Sequence, residues 1–325
     1  MFDTDVIIVG GGPAGSACAW QLRQHNIDCI ILDQAKFPRF KPCAGWITPQ
    51  VLAELKLKEG NYPYGLSTFT SLRVNLNDFK FRLPTRQYAI RRYEFDDWLL
   101  HRSGALFFQH AVKAIRYENG EYIIDDRFRA KYLIGAGGTY CPVYRSLFKD
   151  VSPKTRDTLI AAQEDEFPYK PASMDCWLWF WKGFPGYAWY VPKANGYVNV
   201  GIGAWAERLK ASGVSLKAQW ERLLEHLDAQ DLVRNYNLKP SAHSYYLRQP
   251  SPQIRNENAL LVGDAAGLAT LDMGEGISPA IQSGLRAAEA IATGQPYSLE
   301  GIARYSQGAL LGRVVTGLYR TNKQD

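Results

Sequence analysis

Short apolar runs bounded by glycine set the pattern at both ends of the chain. Val6-Ile-Ile-Val9 is β-branched and continuous, as in a buried parallel strand, and Cys29-Ile-Ile-Leu32 is a second such run. Between them Ser16 to His25 reads as a helix, with Ala17, Ala19 and Leu22 available for packing. A third buried run, Ala259 to Val262, ends in glycines, and from Ser278 a small-residue helix is predicted with Pro279 in its first turn. Thr68 to Leu83 alternates like one strand, and Thr158 to Gly203 holds several. Arg208 to Leu232 is mostly helical, "SLKAQWERLLEHL" showing the apolar period of about 3.6 residues. The stretch "SLEGIARYSQGALLGRVVTGLYR" (298–320) reads as an amphipathic helix.

The first glycine cluster, Gly10-Gly-Gly-Pro-Ala-Gly15, sits between strand and helix, and Asp33 closes the second strand. In this setting Gly10 permits a tight turn, Gly12 lets a pyrophosphate approach the backbone, and Gly15 lets helix and strand pack closely. Phosphates then meet the positive end of the helix, beside Pro13 and Ala14, while Asp33 accepts from an adenosine ribose. A dinucleotide is expected.

The second cluster selects which one. Gly263-Asp-Ala-Ala-Gly267 follows the third strand, and Gly274-Glu-Gly-Ile277 precedes the small-residue helix. A carboxylate at a strand end, Asp264, suits a polyol such as a ribityl chain. Backbone N–H groups around Gly274, Gly276 and Ile277 suit the electron-rich edge of a reduced isoalloxazine. NAD needs no such distant site, so FAD is the expected cofactor. No second GxGxxG follows a strand, so NAD(P)H or another electron donor has no dedicated domain.

These motifs resemble FAD-dependent oxidoreductases of the p-hydroxybenzoate hydroxylase fold, and within it the geranylgeranyl reductase family. "FPRFKPCAGWITP" (37–49) resembles that family's segment beside the flavin, which implies cofactor contacts from Arg39, Lys41, Cys43, Ala44 and Gly45. "RRYEFDDWL" (91–99) resembles the helix that carries Arg92 toward the cofactor. "YAWYVPKANGYVNVGIG" (187–203) resembles the Tyr-x-Trp substrate segment, which makes Tyr187 and Trp189 candidates beside Cys43 for the catalytic site. The family's Gly-Ala-Asp-Gly motif here reads Gly135-Ala-Gly-Gly138; Gly138 stands as a cofactor contact, but the acid at 137 is missing. The chain also stops at Asp325, short of the segment that helps longer relatives enclose a lipid.

The expected fold is α/β, with an α+β substrate part: a Rossmann-like FAD-binding domain carrying an inserted antiparallel-sheet substrate domain. Residues 1–65, 88–155 and 253–300 are assigned to the first and 66–87 and 156–252 to the second, with 301–325 as a C-terminal helix. Trp177, Trp179 and Trp181 fall on one strand face and Leu178 and Phe180 on the other; the tryptophan face either lines an apolar pocket or belongs to the core.

Composition changes this picture little. Five scattered cysteines without CxxC spacing argue against disulfides and zinc, and no metal ligand set is seen among the five histidines. Arg39 and Lys41 near Cys43 would favour its thiolate, the alternative being a small buried apolar residue, the commoner state of a free cysteine. The net charge of +6 is dispersed, without the basic stripe of a nucleic-acid binder. The first strand starts almost at once, which leaves no room for a signal peptide, so a cytoplasmic location is expected, with a peripheral membrane or protein partner left open. The leading reading is an enzyme that reduces a carbon–carbon double bond of an apolar, isoprenoid-like substrate. Its rivals are a flavin monooxygenase acting on an aromatic or peptide side chain, and a partner-binding maturation or electron-carrier flavoprotein.

Overall fold

The structure, a computed structural model, describes residues 1–77 and 79–306. Its first part runs β1 (Phe2–Val9), α1 (Pro13–Gln24), β2 (Cys29–Asp33), β3 (Trp46–Ile47), α2 (Pro49–Glu54), β4 (Ser67–Leu76), β5 (Phe79–Ala89) and α3 (Arg92–Ser103). Then come β6 (Leu106–Gln109), β7 (Ile115–Glu118), β8 (Glu121–Ile124), β9 (Phe128–Gly135) and α4 (Pro142–Leu147). The rest holds β10 (Leu159–Pro168), β11 (Cys176–Phe180), β12 (Gly186–Lys193), β13 (Tyr197–Trp205), α5 (Ala206–Ser212), α6 (Leu216–Ala229), β14 (Ser241–Tyr246), β15 (Arg255–Asn256), β16 (Ala259–Leu261) and α7 (Ile277–Thr293).

The strands form two sheets. One has the order β15-β16-β9-β1-β2-β6, with β8 joined to β9 and β7 to β8. Its β16, β9, β1, β2 and β6 are parallel, which explains why β1 is apolar on both faces where it passes through the core. The other has the order β14-β10-β13-β12-β11-β4-β5-β3 and is antiparallel except where β11 runs parallel to β4. Thr68 to Leu83 is therefore not one strand but parts of β4 and β5, a hairpin with a register shift between Phe69 and Ser71. The short β3 lies within the first sixty-five residues in sequence yet pairs with β5 in the second sheet.

Helix α1 starts at Pro13, three positions before Ser16, because Gly12 caps it and a proline is preset for the first helical turn. Residues 298–306 make turns rather than the start of the expected C-terminal helix; 307–325 lie outside the described residues. Among the described residues no helix is long and apolar enough to cross a membrane.

The tryptophans on β11 and just after it settle on the core side. Trp179 and Trp181 are buried with Phe184, Trp220 and Leu223, beneath α6, and Trp177 stacks on Trp179 at 5.9 Å. The opposite face, with Leu178, Phe180, Trp189 and Val191, packs with Trp46, Phe69 and Met273. This face meets Met273, the residue before Gly274 of the second glycine turn.

Helices α1 and α7 touch at backbone distance. A Cβ on Gly284 would stand 2.2 Å from the Ala14 carbonyl oxygen, and one on Gly15 would stand 1.9 Å from the Gly10 oxygen. Gly284→Ala in an isolated helix would stabilise by about 1 kcal/mol. Here we expect the reverse, a loss of about 1–3 kcal/mol from overpacking, read as a lower urea midpoint with unchanged m-value.

Candidate functional site

The first glycine turn is built by close approach. Gly10 holds φ +118°, and a Cβ there would lie 2.4 Å from the Ala136 oxygen, so β1 and β9 end side by side. Asp33 accepts from the Gly11 N–H at 2.8 Å through Oδ2 and from the Ala35 N–H at 2.9 Å through Oδ1. The acid at the end of β2 thus fixes the glycine loop. Gly12 differs from its neighbours: a Cβ there would meet only Arg39 Nη2, at 3.4 Å. No side chain caps α1, so its first N–H groups and Arg39 converge on the space above Gly12.

Asp96, fully buried, organises the cations beside that space. Arg92 binds it bidentately at 2.6 and 2.7 Å, and Arg39 reaches the same carboxylate at 3.2 Å while lying over the Phe37 ring. Two guanidiniums on one carboxylate leave a net positive charge, which suits a pyrophosphate.

The second glycine turn arrives through β16 and α7. Gly263 donates to Ser283 Oγ at 2.9 Å, and a Cβ on it would meet Ala14 at 3.1 Å. Asp264 follows, its backbone oxygen accepting from Lys154 Nζ at 3.1 Å. A Cβ on Gly276 would meet only Asp264 Oδ1, at 3.3 Å, and Ala269, whereas one on Gly274 would strike the Tyr245 hydroxyl at 2.3 Å. Gly138 therefore has open space beside it and Gly276 borders only Asp264 and Ala269, whereas Gly274 and Gly45 are glycines because protein packs on them. A Cβ on Gly45 would lie 2.0 Å from the Ile90 oxygen. Ile277, at the start of α7, is buried against Ile47 and Ala17, while Ala44 packs against the second sheet's aromatic face.

The segment 39–45 passes between the sheets and is clamped by charge. Lys193 Nζ donates to the Cys43 carbonyl oxygen at 3.0 Å and pairs with Glu166, which also receives Arg91 Nε at 3.1 Å. Cys43 Sγ accepts from the Gly45 N–H at 3.3 Å. The thiolate is not favoured: burial raises the Cys43 pKa and Glu164 adds to this, outweighing the downward pull of Arg92 and Lys193. Arg39 is turned away to Asp96.

The other candidate positions are apolar wall. Tyr187 donates its hydroxyl to the Met273 oxygen at 2.6 Å and stacks on Phe180. Trp189, buried, gives its indole N–H to Asn199 Oδ1 at 2.7 Å. Gly137, where an acid was expected, is crowded: a Cβ would lie 3.1 Å from Cys141 Cα. That turn instead ties to β14, Thr139 Oγ1 donating to the Ser244 oxygen at 3.0 Å.

Residues without a sequence motif complete the site. Asn199 donates at 2.9 Å to Glu164 Oε2, and Glu164 Oε1 stands 3.4 Å from His243 Nε2. Burial raises the Glu164 pKa to about 7, against the Asn199 hydrogen bond and Lys193. Burial also drops His243 to about 4, helped by Lys41 and Arg92. Lys41 thus faces this acid–base pair from the segment beside Cys43. In the folded strand Ile160, Ala162 and Glu164 share the buried phase of β10, but the sequence Leu159-Ile-Ala-Ala-Gln-Glu-Asp-Glu166 does not alternate between apolar and polar residues, so nothing local marked Glu164.

A Rossmann-like sheet, two glycine turns meeting over one helix pair, and an aromatic sheet across the cleft define a dinucleotide-dependent oxidoreductase. The NAD(P)-binding Rossmann-like domain family matches residues 8–80. An uncharacterised protein of Methanosarcina barkeri is 34% identical over 304 residues, spanning 89% of this chain and 74% of that protein. The menaquinone reductase of Mycobacterium tuberculosis is 27% identical over 312 residues, 88% of this chain and 76% of that one. Digeranylgeranylglycerophospholipid reductase 2 of Methanosphaera stadtmanae is 27% identical over 342 residues, 94% and 82% of the two chains. Among solved structures, a geranylgeranyl bacteriochlorophyll reductase-like protein of Thermoplasma acidophilum superposes with a TM-score of 0.75 at 22% identity, covering 99% of this chain and 86% of that one. The chain belongs to the geranylgeranyl reductase family of flavin-dependent oxidoreductases.

One consequence concerns pH. Glu275, buried before α7, accepts from the Ser278 N–H at 2.8 Å. Burial nevertheless raises its pKa to about 7, from an ordinary 4.5. Its folded pKa exceeds the unfolded one, so this group costs nothing below about pH 4.5 and its cost grows as pH rises through 7. In cofactor-free protein, Glu275→Gln should match the wild type near pH 4.5 and exceed it by about 1–3 kcal/mol at pH 8.5 in urea unfolding.

Proposed function

We propose that the protein holds FAD across its two glycine turns and reduces a carbon–carbon double bond of a long, apolar, isoprenoid-like substrate lying against the second sheet. The observation that carries this reading is that the two glycine turns meet, Gly263 against Ala14, and that Met273, next to the second turn, packs with Phe180, Tyr187 and Trp189. The geranylgeranyl names borne by relatives support the substrate class.

The residues fit the cofactor. The open space over Gly12, the uncapped start of α1 and Arg39 suit the pyrophosphate. Asp33 suits the adenosine ribose, and Asp264 beside Gly276 suits the ribityl chain. Bound FAD would supply the hydride chemistry. The protein's part is to orient and to exclude water. Asp96, paired with Arg92, holds Arg39 of the loop that carries Cys43, whose partly buried thiol has a raised pKa and presents a neutral surface. Tyr187, anchored on Met273, and Trp189, anchored on Asn199, make a fixed wall that favours an apolar chain over a polar one. The division into a discontinuous FAD-binding part and a substrate part remains our reading, supported by the separation of the strands into two sheets.

Purified protein should be yellow and release FAD, not FMN, on denaturation. Asp264→Ala should weaken FAD binding about tenfold to a hundredfold, through loss of a charge-assisted hydrogen bond, measured by fluorescence titration of the cofactor-free protein. Dithionite-reduced holoprotein mixed anaerobically with geranylgeraniol should reoxidise its flavin and yield a product two hydrogens heavier. A product carrying oxygen from ¹⁸O₂, formed only in air, would overturn the reductase reading in favour of a monooxygenase.

A further inference from the structure

We propose that Glu164 is the proton store of the reduction and that His243 relays its proton to the substrate. This rests on the reductase reading and adds to it the source of the second hydrogen.

The geometry has a direction. The Trp189 indole can only donate, so its bond to Asn199 Oδ1 fixes the amide with the nitrogen toward Glu164 Oε2. Glu164 Oε1 is thereby left to His243, 3.4 Å away. The ring's other nitrogen, Nδ1, is buried and has no hydrogen-bond partner, an arrangement that leaves a site for a reacting group or a bridging water. The ring lies parallel to Tyr245 at 5.9 Å, and the Tyr245 hydroxyl borders Gly274 of the second glycine turn. The pair therefore stands between the aromatic wall and the turn assigned to the flavin.

The surrounding charges come from every element packed on the pair. Lys193 on β12 and Lys41 favour the carboxylate, whereas Glu166 on β10 and burial oppose it. Lys41 and Arg92 oppose an imidazolium. Glu164 in turn disfavours ionisation of Cys43 and of Tyr245. Below about pH 7 and above about pH 4 the proton rests on the carboxyl and the imidazole is neutral.

The step balances without another oxidant or reductant. Bound reduced flavin would supply both electrons and one hydrogen as hydride. The second hydrogen follows when the Nδ1–H bond of His243 breaks and a C–H bond forms on the neighbouring substrate carbon, directly or through one water. The O–H bond at Glu164 Oε1 breaks as an N–H bond forms at Nε2. His243 ends neutral in its other tautomer, Glu164 ends as carboxylate, and solvent returns its proton.

Two measurements test this. In cofactor-free protein, infrared difference spectra between pH 5.5 and 8.5 should show protonated-carboxyl bands. Glu164→Gln should remove one of these bands and leave that of Glu275. In reduced holoprotein, the rate of flavin reoxidation by geranylgeraniol should fall above pH 7, about tenfold per unit. Glu164→Gln should lose this limb and slow the reaction at least tenfold, with FAD occupancy and melting temperature near wild type. Glu164→Asp should restore the limb, and His243→Asn should be slow with the infrared band intact. A Glu164→Gln variant that keeps the wild-type limb and rate, or all the infrared bands, overturns the relay and leaves the reductase reading standing. Wild-type holoprotein that reduces no geranylgeraniol overturns the reductase reading, and the relay with it.

Discussion

The contact between α1 and α7 is the constraint on which the site depends. Both helices begin at glycine turns, and both turns serve one cleft only if the helix axes close to backbone contact. Gly284, Gly263 and Ala14 make that possible: any larger residue at 284 meets the Ala14 carbonyl. Ser283 then ties the start of the second turn to the helix that follows it, through its bond to the Gly263 N–H. Close-packed interiors do not yield gradually, so this contact fixes the spacing of the two turns rather than merely favouring it.

Charge performs the corresponding task between the sheets. The segment 39–45 has little regular structure of its own and crosses a region where an unpaired ion would be expensive. It is held because two acids beside it are paired: Asp96 with Arg92 of its own helix and with Arg39 from the segment, and Glu166 with Arg91 and with Lys193, which also binds the Cys43 carbonyl. Glu164 is the exception. It faces Asn199 and a neutral histidine, and burial therefore keeps it near the protonated form. A belt of satisfied pairs with one acid left on the edge of ionisation is an arrangement in which structure and proton chemistry are separated by position along a single strand.

The second sheet divides its aromatics by the same two-residue alternation. One phase, with Trp179 and Trp181, is spent under α6 and builds the core; the other, with Phe180, Tyr187 and Trp189, faces the cleft. Each cleft-facing polar tip is anchored, on Met273 or Asn199, so the wall presents ring surface rather than hydrogen-bonding groups.

The sequence by itself determined what short range can enforce. Strand, glycine turn, helix, strand and Asp33 form one contiguous unit, and each glycine's demand there is set within it or by the adjoining strand, so dinucleotide binding was legible before any fold was known. The second turn was legible for the same reason, as was the period of α6. Alternation also gave the two faces of β11, but not which of them a helix would cover, because that depends on where α6 docks. The hairpin of β4 and β5 reads as one strand when only the alternation within each half is followed: no glycine marks the turn, and its one sign is a slip of phase from Leu72, Val74 and Leu76 to Phe79, Phe81 and Leu83. Only the tertiary structure decided the rest. The thiol of Cys43 stays protonated because burial outweighs its cationic neighbours, and burial is a property of the assembled cleft. Glu164, Asn199 and His243 lie on three strands that become neighbours only when β14, β10 and β13 pair, and no local pattern brings an acid, an amide and an imidazole together across such separations.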